Sequence, residues 1–158
     1  ETDRLDDVRR LSAKAAELGV RLFLPRDVIV AERLEAGTPA RVVPVAEIPD
    51  DQFIADIGPG TTSEFCRELG DCRTVVWNGP MGVFEVPEFA EGTRRIAATL
   101  ANLHGTTVVG GGSTADAVTR FGFADRMTHV STGGGAALTM LAGKPLPGVE
   151  ALEDAGEP

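Results

Sequence analysis

Three glycine-rich turns carry the residue types that could bind a phosphate in this chain. They are WNGPMGVFE at 77–85, GGGST at 110–114 and STGGGA at 131–136, and each follows a short apolar run. Glycine lets a turn bring bare backbone N–H groups against a ligand, and the N-terminus of a following helix adds partial positive charge at the same place. The pattern therefore indicates a unit that handles nucleotides.

The turn GGGST matches neither the GxxxxGKS-type nucleotide loop nor the GxGxxG dinucleotide fingerprint, so two interpretations stay open. In the first, Gly110, Gly111 and Gly112 offer backbone N–H groups, while Ser113 and Thr114 offer hydroxyls to a phosphate or to Mg²⁺. In the second, one of the two hydroxyls only caps the helix. STGGGA repeats the layout one strand later, so two helix N-termini either converge on one anion, as suits phosphoryl transfer, or are unrelated turns.

Asn78 and Glu85 are the polar residues of an otherwise apolar loop, and Pro80 and Gly82 fix the path between them. Each polar side chain could form a hydrogen bond with an amide, a ribose or a phosphate of a ligand. The alternative is that Asn78 caps the turn and Glu85 is solvated, as isolated glutamates usually are. Trp77, the only tryptophan, is expected in the core.

No lysine or arginine lies in any of the three turns, although a kinase normally places a cation on the transferring phosphate. The formal net charge of -9 argues against a general nucleic-acid surface. The two cysteines, Cys66 and Cys72, and the two histidines, His104 and His129, do not have the spacing of zinc ligands, and we expect both cysteines to be reduced packing residues.

The length of 158 residues, with 42% hydrophobic and 25% charged residues, is typical of one globular domain or a large piece of one. No apolar run reaches the about 20 residues that span a bilayer. The start, ETDRLDDVRR, lacks the apolar centre of a signal peptide. We therefore expect a soluble, cytoplasmic chain without a membrane partner.

Apolar strands, glycine turns and helices alternate from residue 53 onward at lengths that suit βαβ units. The predicted strands are 53–57, 74–77, 106–109 and 128–130, and the predicted helices include 88–103, 113–121 and 135–142. These short apolar strands predict an α/β fold whose parallel sheet has helices on both faces. Ligands of such sheets bind beyond the carboxyl ends of the strands, where the glycine turns lie.

The first third of the chain is less regular. Residues 3–18 have the apolar spacing of an amphipathic helix that ends at Gly19. Two short strands, 20–24 and 27–31, are predicted on either side of a turn near Pro25. Residues 35–52 are predicted to form a surface excursion with one strand.

The motifs WNGPMGVFE, VVGGGST and HVSTGGGAALTMLAGKPLPGVEAL, in this order and spacing, resemble the carboxy-terminal half of phosphoglycerate kinase. The resemblance extends back through IADIGPGTTSEF and VRLFLPRDVIVAERL to the first helix. It implies that residues 1–158 are one partial, Rossmann-like nucleotide-binding domain, without the amino-terminal phosphoglycerate-binding domain. The implied reaction is phosphoryl transfer between 1,3-bisphosphoglycerate and Mg²⁺-bound ADP, which gives 3-phosphoglycerate and ATP in glycolysis, in a monomeric parent protein.

The resemblance also implies roles for individual residues before the second glycine turn. Gly58, in the DIGPG turn, resembles a position near the adenosine. Asn78 and Pro80 lie in the loop beneath the nucleotide, and Glu85 resembles the glutamate that binds the ribose.

Further roles follow for the second and third turns. Gly111 and Gly112 resemble the backbone donors that face the transferring phosphoryl group, and are thus the catalytic candidates. Thr114 resembles a residue at the helix start that contacts the nucleotide phosphates. Residues 131–135 resemble the turn that faces phosphoglycerate.

Two departures from the family pattern matter. Ser113 stands where the family most often has an aspartate that binds the Mg²⁺ of the nucleotide, so we expect weaker or more water-mediated metal binding at Ser113. The basic phosphoglycerate patch and the lysine-bearing GGAKVxDK segment are not in the chain, so we expect it to be inactive alone, with an exposed sheet edge. The alternative is a non-catalytic module that binds a nucleotide or a phosphate.

Overall fold

Six strands form two separate three-stranded sheets in the computed structural model, which describes residues 2–152. The first sheet is antiparallel and has the order β2-β1-β3. Its strands are β1 (Asp27–Ala31), β2 (Ala40–Pro44) and β3 (Phe53–Ile57). Val28, Val30 and Val43 form the small apolar core of this sheet.

The second sheet is parallel and has the order β4-β5-β6. Its strands are β4 (Thr74–Asn78), β5 (Thr106–Gly110) and β6 (His129–Ser131). Parallel neighbours need a crossover, and here each crossover contains a helix. The parallel sheet and its flanking helices confirm the predicted α/β class.

Six α-helices lie within residues 2–152. They are α1 (Leu5–Glu17), α2 (Pro59–Gly70), α3 (Glu91–Ala101), α4 (Gly112–Arg120), α5 (Gly134–Leu141) and α6 (Pro147–Glu150). Short 3-10 turns cover Thr2–Arg4, Val45–Glu47, Pro87–Phe89 and Ala124–Arg126. None of the helices in the described part of the chain is long and apolar enough to cross a membrane.

The main core lies between the parallel sheet and its helices. The strands contribute Val75, Trp77 and Val109, and the helices contribute Ile96, Ala97, Leu100 and Val118. Trp77 is only 6% exposed, which confirms that it is a core residue. Burial of this apolar surface fixes the sheet against α3 and α4 and so holds the carboxyl ends of the strands in place.

Two strand predictions were wrong. Residues 20–24 form no strand, and Val20, Leu22 and Leu24 are exposed there, because an apolar run becomes a strand only where another strand accepts its hydrogen bonds. The strand Phe53–Ile57 exists, but it pairs antiparallel with β1 instead of joining the parallel sheet. The chain passes from β1 through β2 to β3 without an α-helix, so it lacks the helical crossover that usually joins parallel neighbours.

Candidate functional site

The three glycine-rich turns meet at one end of the parallel sheet. Asn78, Gly110 and Ser131 are the last residues of β4, β5 and β6, and they are direct partners in the strand register. The residues that follow these strands therefore leave the sheet side by side. This end of a parallel sheet is where α/β proteins bind their ligands.

The turns after β5 and β6 approach each other so closely that no side chain fits between them. A Cβ at Gly134 would lie 2.8 Å from the Cα of Gly111 and 3.3 Å from Nδ2 of Asn78. A Cβ at Gly110 would lie 3.1 Å from the same nitrogen. Gly111 also has φ +93°, which residues with a side chain rarely adopt. The Asn78 amide thus fills the space beside both glycine turns.

Two helix N-termini begin at this meeting point. The N-cap residues of α4 and α5 are Gly111 and Gly133, and neither helix has an acidic residue in its first turn. Gly112 and Ser113 are exposed at the start of α4. At the start of α5, the Gly133 N–H donates to Ser131 Oγ at 3.1 Å, and the Gly134 N–H donates to the Thr132 carbonyl at 3.2 Å. The first N–H groups of α4 have no partner within their helix, and together with the helix dipoles they make the place favourable for an anion. The geometry supports convergence of the two helix starts over the interpretation of two unrelated turns.

The loop that follows β4 is tied to α4 by a buried threonine. Thr114 is 1% exposed, and its Oγ1 accepts a hydrogen bond of 2.8 Å from the backbone N–H of Gly79. The Trp77 indole N–H donates to the Gly79 carbonyl at 2.7 Å. Thr114 does not cap α4, since the N-cap is Gly111 and no side chain forms a capping hydrogen bond. Its predicted contact with nucleotide phosphates stays a prediction.

The same loop is held from a second side by α3 and from a third by β3. Thr93 accepts hydrogen bonds at Oγ1 from the backbone N–H of Met81 at 3.0 Å and of Gly82 at 3.3 Å. The N–H of Val83 donates to the carbonyl of Ala55 in β3 at 2.9 Å. These contacts fix the loop backbone between Asn78 and Glu85.

Asp56, in β3, binds the start of α3. Its carboxylate accepts hydrogen bonds from the backbone N–H of Gly92 at 2.7 Å and of Ile57 at 2.8 Å. The side chain is 1% exposed. Burial raises the pKa of Asp56 from 3.8 to about 6, although both hydrogen bonds lower it, and the nearby charge of Glu91 raises it further.

Sequence reasoning missed Asp56 and Thr93. A signal existed for Asp56, because one carboxylate interrupts the apolar run FIADI just before a glycine turn. Thr93 stands in EGTRR, where nothing in the sequence distinguishes it from a solvent-exposed threonine. Only its burial and its two hydrogen bonds identify it.

Gly58 lies at the N-terminus of α2, where its surroundings are filled by Asp27. Its N–H donates to the Asp27 carbonyl at 2.8 Å, and a Cβ at Gly58 would collide with the Asp27 side chain. The Asp27 carboxylate also accepts hydrogen bonds from Gly60 and Thr61 at the helix start. Burial opposes ionisation of Asp27, but these hydrogen bonds outweigh it and lower its pKa.

Glu85 and Pro80 complete the set of predicted site residues. Glu85 is exposed, and no hydrogen bond of its side chain is present among residues 2–152. Pro80 is half-buried between Gly79 and Met81. Beside Glu85, the buried ring of Phe84 lies 5.6 Å from the Arg120 guanidinium. The roles of Glu85 and Pro80 toward a nucleotide stay predictions.

Metal ligation at this site would rest on few protein atoms. Within the described residues, no group of three or more histidine, cysteine, aspartate or glutamate side chains could hold a metal ion. The Ser113 hydroxyl is exposed at the start of α4. A Mg²⁺ ion keeps several waters and commonly binds substrate phosphates with one or two protein ligands, so this sparse donor set fits a metal carried by a nucleotide.

Comparison with known proteins decides the family. The family model for phosphoglycerate kinase matches residues 1–144. The chain belongs to the phosphoglycerate kinase family. This membership confirms that the motifs resemble this family.

Curated phosphoglycerate kinases match nearly the whole chain but only part of their own length. The phosphoglycerate kinase of Gloeothece citriformis is 50% identical over 98% of this chain, which covers 39% of the relative. The cytosolic phosphoglycerate kinase of Nicotiana tabacum is 51% identical with the same coverage. The chain therefore spans about two fifths of the length of these relatives.

Solved structures of phosphoglycerate kinases have the same fold over the aligned region. The enzyme from Coxiella burnetii aligns with a TM-score of 0.89 and 41% identity, over 95% of this chain and 39% of that one. The enzyme from Pyrococcus horikoshii aligns with a TM-score of 0.78 and 32% identity, over 96% of this chain and 37% of that one.

Proposed function

We propose that this chain is the carboxy-terminal, nucleotide-binding part of a phosphoglycerate kinase. The reaction is phosphoryl transfer between 1,3-bisphosphoglycerate and Mg²⁺-bound ADP, which gives 3-phosphoglycerate and ATP in glycolysis. The observation that carries the proposal is the meeting of the turns after β4, β5 and β6 beside two helix N-termini. We infer the reaction itself from membership of the phosphoglycerate kinase family.

The nucleotide phosphates lie at the start of α4 in this proposal. The N–H groups of Gly111 and Gly112 face the transferring phosphoryl group. Thr114, at the same helix start, contacts the nucleotide phosphates. Phosphoryl transfer spreads negative charge over the moving oxygens, and fixed backbone donors stabilise that charge without reorganisation. The turn at 131–135, at the start of α5, faces phosphoglycerate.

The nucleoside lies along the loop after β4. Glu85 is exposed and accepts hydrogen bonds from the ribose hydroxyls, while Asn78 and Pro80 lie beneath the nucleotide. Gly58 approaches the adenosine from the start of α2, with its backbone held by Asp27. The N–H that Gly58 donates to Asp27 fixes this approach and is therefore not offered to the ligand.

The proposed metal is the Mg²⁺ that arrives with ATP or ADP. The Ser113 hydroxyl would hold it, and the ion would neutralise phosphate charge when it is bound. A hydroxyl carries no negative charge, so Ser113 binds the metal more weakly than an aspartate would.

We place the phosphoglycerate-binding half outside these 158 residues and expect this chain to be inactive alone. We expect a cytoplasmic, monomeric parent protein. We also expect no nucleic-acid partner, in keeping with the net charge of -9.

Calorimetric titration with Mg²⁺-bound ADP tests the nucleotide site directly. We expect saturable binding to the wild-type protein at its natural length and binding weakened about tenfold in its Glu85→Ala variant, because the ribose loses its acceptor. Glu47→Ala is the matched control, since Glu47 is an exposed carboxylate on the 3-10 turn before β3. Absence of binding to the wild-type protein at its natural length would contradict the proposal.

The metal assignment is tested by Ser113→Asp. We expect this variant to bind ADP more tightly with Mg²⁺ present and no more tightly without it, because the added carboxylate gives the ion a charged ligand. An unchanged Mg²⁺ dependence of the ADP affinity would exclude Ser113 from the metal site.

The second candidate is a non-catalytic module that binds a nucleotide or a phosphate, and Ser113 in the aspartate position favours it. A coupled assay of ATP formation from 1,3-bisphosphoglycerate, with the protein at its natural length, separates the two. Nucleotide binding without ATP formation would support the module.

A further inference from the structure

We infer that Thr93 is a positioning residue, which holds the backbone of Met81 and Gly82 and thereby keeps the loop that leads to Glu85 in its nucleotide-binding shape. The inference rests on the proposed function. It assigns part of the nucleotide affinity to a hydroxyl on α3 that the ligand does not touch.

The Thr93 hydroxyl is the common acceptor for two consecutive backbone donors. Its Oγ1 lies 3.0 Å from the N–H nitrogen of Met81 and 3.3 Å from that of Gly82. Thr93 is 0% exposed, so water cannot replace the hydroxyl without a rearrangement of the loop. Leaving a buried N–H without an acceptor costs free energy, so these two hydrogen bonds stabilise the observed loop geometry.

The start of α3 is itself fixed, so Thr93 cannot follow a movement of the loop. The Gly92 N–H donates to the Asp56 carboxylate at 2.7 Å. A Cβ at either Gly82 or Gly92 would collide with that carboxylate. The loop and the helix start are therefore packed against the same buried side chain, with no free space between them.

Glu85 depends on this support more than Asn78 does, because Asn78 belongs to β4 whereas Glu85 lies beyond the loop. Asn78 precedes the loop backbone that Thr114, Thr93 and Ala55 hold, and Glu85 follows it. Within residues 2–152, neither side chain forms a hydrogen bond with another residue. The strand register with Gly110 already fixes the backbone of Asn78. The position of Glu85 relative to the turn at Gly111 is therefore what the buried acceptors beneath the loop set.

Two substitutions at Thr93 and one on the same helix test the inference. Thr93→Val keeps the shape and removes the acceptor, whereas Thr93→Ser keeps the acceptor. Thr99→Val is the matched control, because the Thr99 hydroxyl only donates to the Arg95 carbonyl within α3, at 2.9 Å. All variants are made in the protein at its natural length, and circular dichroism checks that they fold.

We expect Thr93→Val to weaken binding of Mg²⁺-bound ADP about tenfold in calorimetry, and Thr93→Ser and Thr99→Val to bind as the wild type does. In the kinase assay, KM for Mg²⁺-bound ADP rises in Thr93→Val, while KM for 1,3-bisphosphoglycerate does not change. A loss of folded protein alone would instead lower kcat and leave both KM values. The fluorescence of Trp77, which begins the loop, changes only in Thr93→Val.

The failure of this inference is distinct from the failure of the proposed function. If the wild type does not bind Mg²⁺-bound ADP, the proposed function fails. If it binds and Thr93→Val binds equally well, the positioning role is overturned. Should Thr93→Val not fold, hydrogen exchange in the wild type decides, since unprotected Met81 and Gly82 amides would overturn the role and protected ones support it.

Discussion

Helices α1 and α3 have the same type of amphipathic sequence, but the apolar face of α3 is buried and that of α1 is exposed. In α3, Ile96, Ala97 and Leu100 are each at most 2% exposed. In α1, the corresponding apolar residues are exposed, with Leu11 at 54%, and no residue of the helix is buried. The comparison shows that apolar spacing predicts a helix and its apolar face, while burial also needs a surface to cover that face.

The helix starts differ in the same way. The first turn of α3 donates to the buried carboxylate of Asp56. The N-cap of α1 is Arg4, which forms no capping hydrogen bond with its side chain. The side chains of α1 form exposed ion pairs, such as Arg9 with Asp6, and no core contacts. Of the two helices, only α3 contributes to the proposed site, because its first turn holds the backbone of the loop after β4.

A matched pair of leucines, one in each helix, tests whether burial is what distinguishes α3 from α1. Leu100→Ala in α3 lowers the free energy of unfolding by about 2–5 kcal/mol, because it leaves a cavity in the main core. Leu11→Ala in α1 changes it by less than about 0.5 kcal/mol. Urea denaturation measures both. Equal losses would mean that α1 packs against another surface in solution.

The pH dependence of stability tests the buried start of α3. The pKa of Asp56 is raised from 3.8 to about 6, so the folded state binds its proton more tightly than the unfolded state does. The contribution of Asp56 to stability is complete below pH 3.8 and is lost as the pH rises to about 6, by about 3 kcal/mol.

Urea denaturation of the wild type and of Asp56→Asn between pH 4 and pH 7 isolates this contribution. We expect the wild type to lose stability relative to the variant as the pH rises, because the asparagine does not titrate. A constant difference between the two proteins across this range would show that Asp56 ionises at its ordinary pKa.

A smaller contrast between packed and open positions exists within the first turn of α5. Gly134→Ala places a Cβ 2.8 Å from the Cα of Gly111, so it costs about 1–3 kcal/mol of stability and weakens ADP binding. Gly135→Ala meets nothing within 4 Å and stabilises the helix by up to about 1 kcal/mol. Thermal unfolding and calorimetry compare the two. Equal ADP affinities would separate the glycine contact from the nucleotide site.

The exposed ion pairs of α1 are expected to contribute little to stability. Arg9 and Asp6 form an ion pair of 3.0 Å, and both side chains are highly exposed. Arg9→Ala therefore lowers the free energy of unfolding by at most about 0.5 kcal/mol, and less in high salt. A loss above about 1 kcal/mol in urea denaturation would indicate that the pair is buried by a partner.

The sequence predicted the parallel half of the fold well because each element there is marked by an apolar run or a glycine turn. The strands β4, β5 and β6 and the helices α4 and α5 lie within one or two residues of their predicted bounds. The helix predicted at 88–103 begins later, at Glu91, after a 3-10 turn at Pro87–Phe89. Residues 20–24 had the composition of a strand, but composition does not provide a hydrogen-bonding partner.

The local chemistry of the candidate site can be read from the amino-acid sequence: glycines where two turns touch, helix starts without acidic residues, and Asn78 at the end of a strand. These properties depend on the residue type and its near neighbours. The groups that support this site from a distance are visible only in the tertiary structure. Thr93 accepts hydrogen bonds from the backbone of Met81 and Gly82. Asp56 accepts one from the backbone of Gly92. Such contacts depend on how helix, strand and loop pack, and burial makes a hydroxyl or a carboxylate there far more consequential than the same group in water.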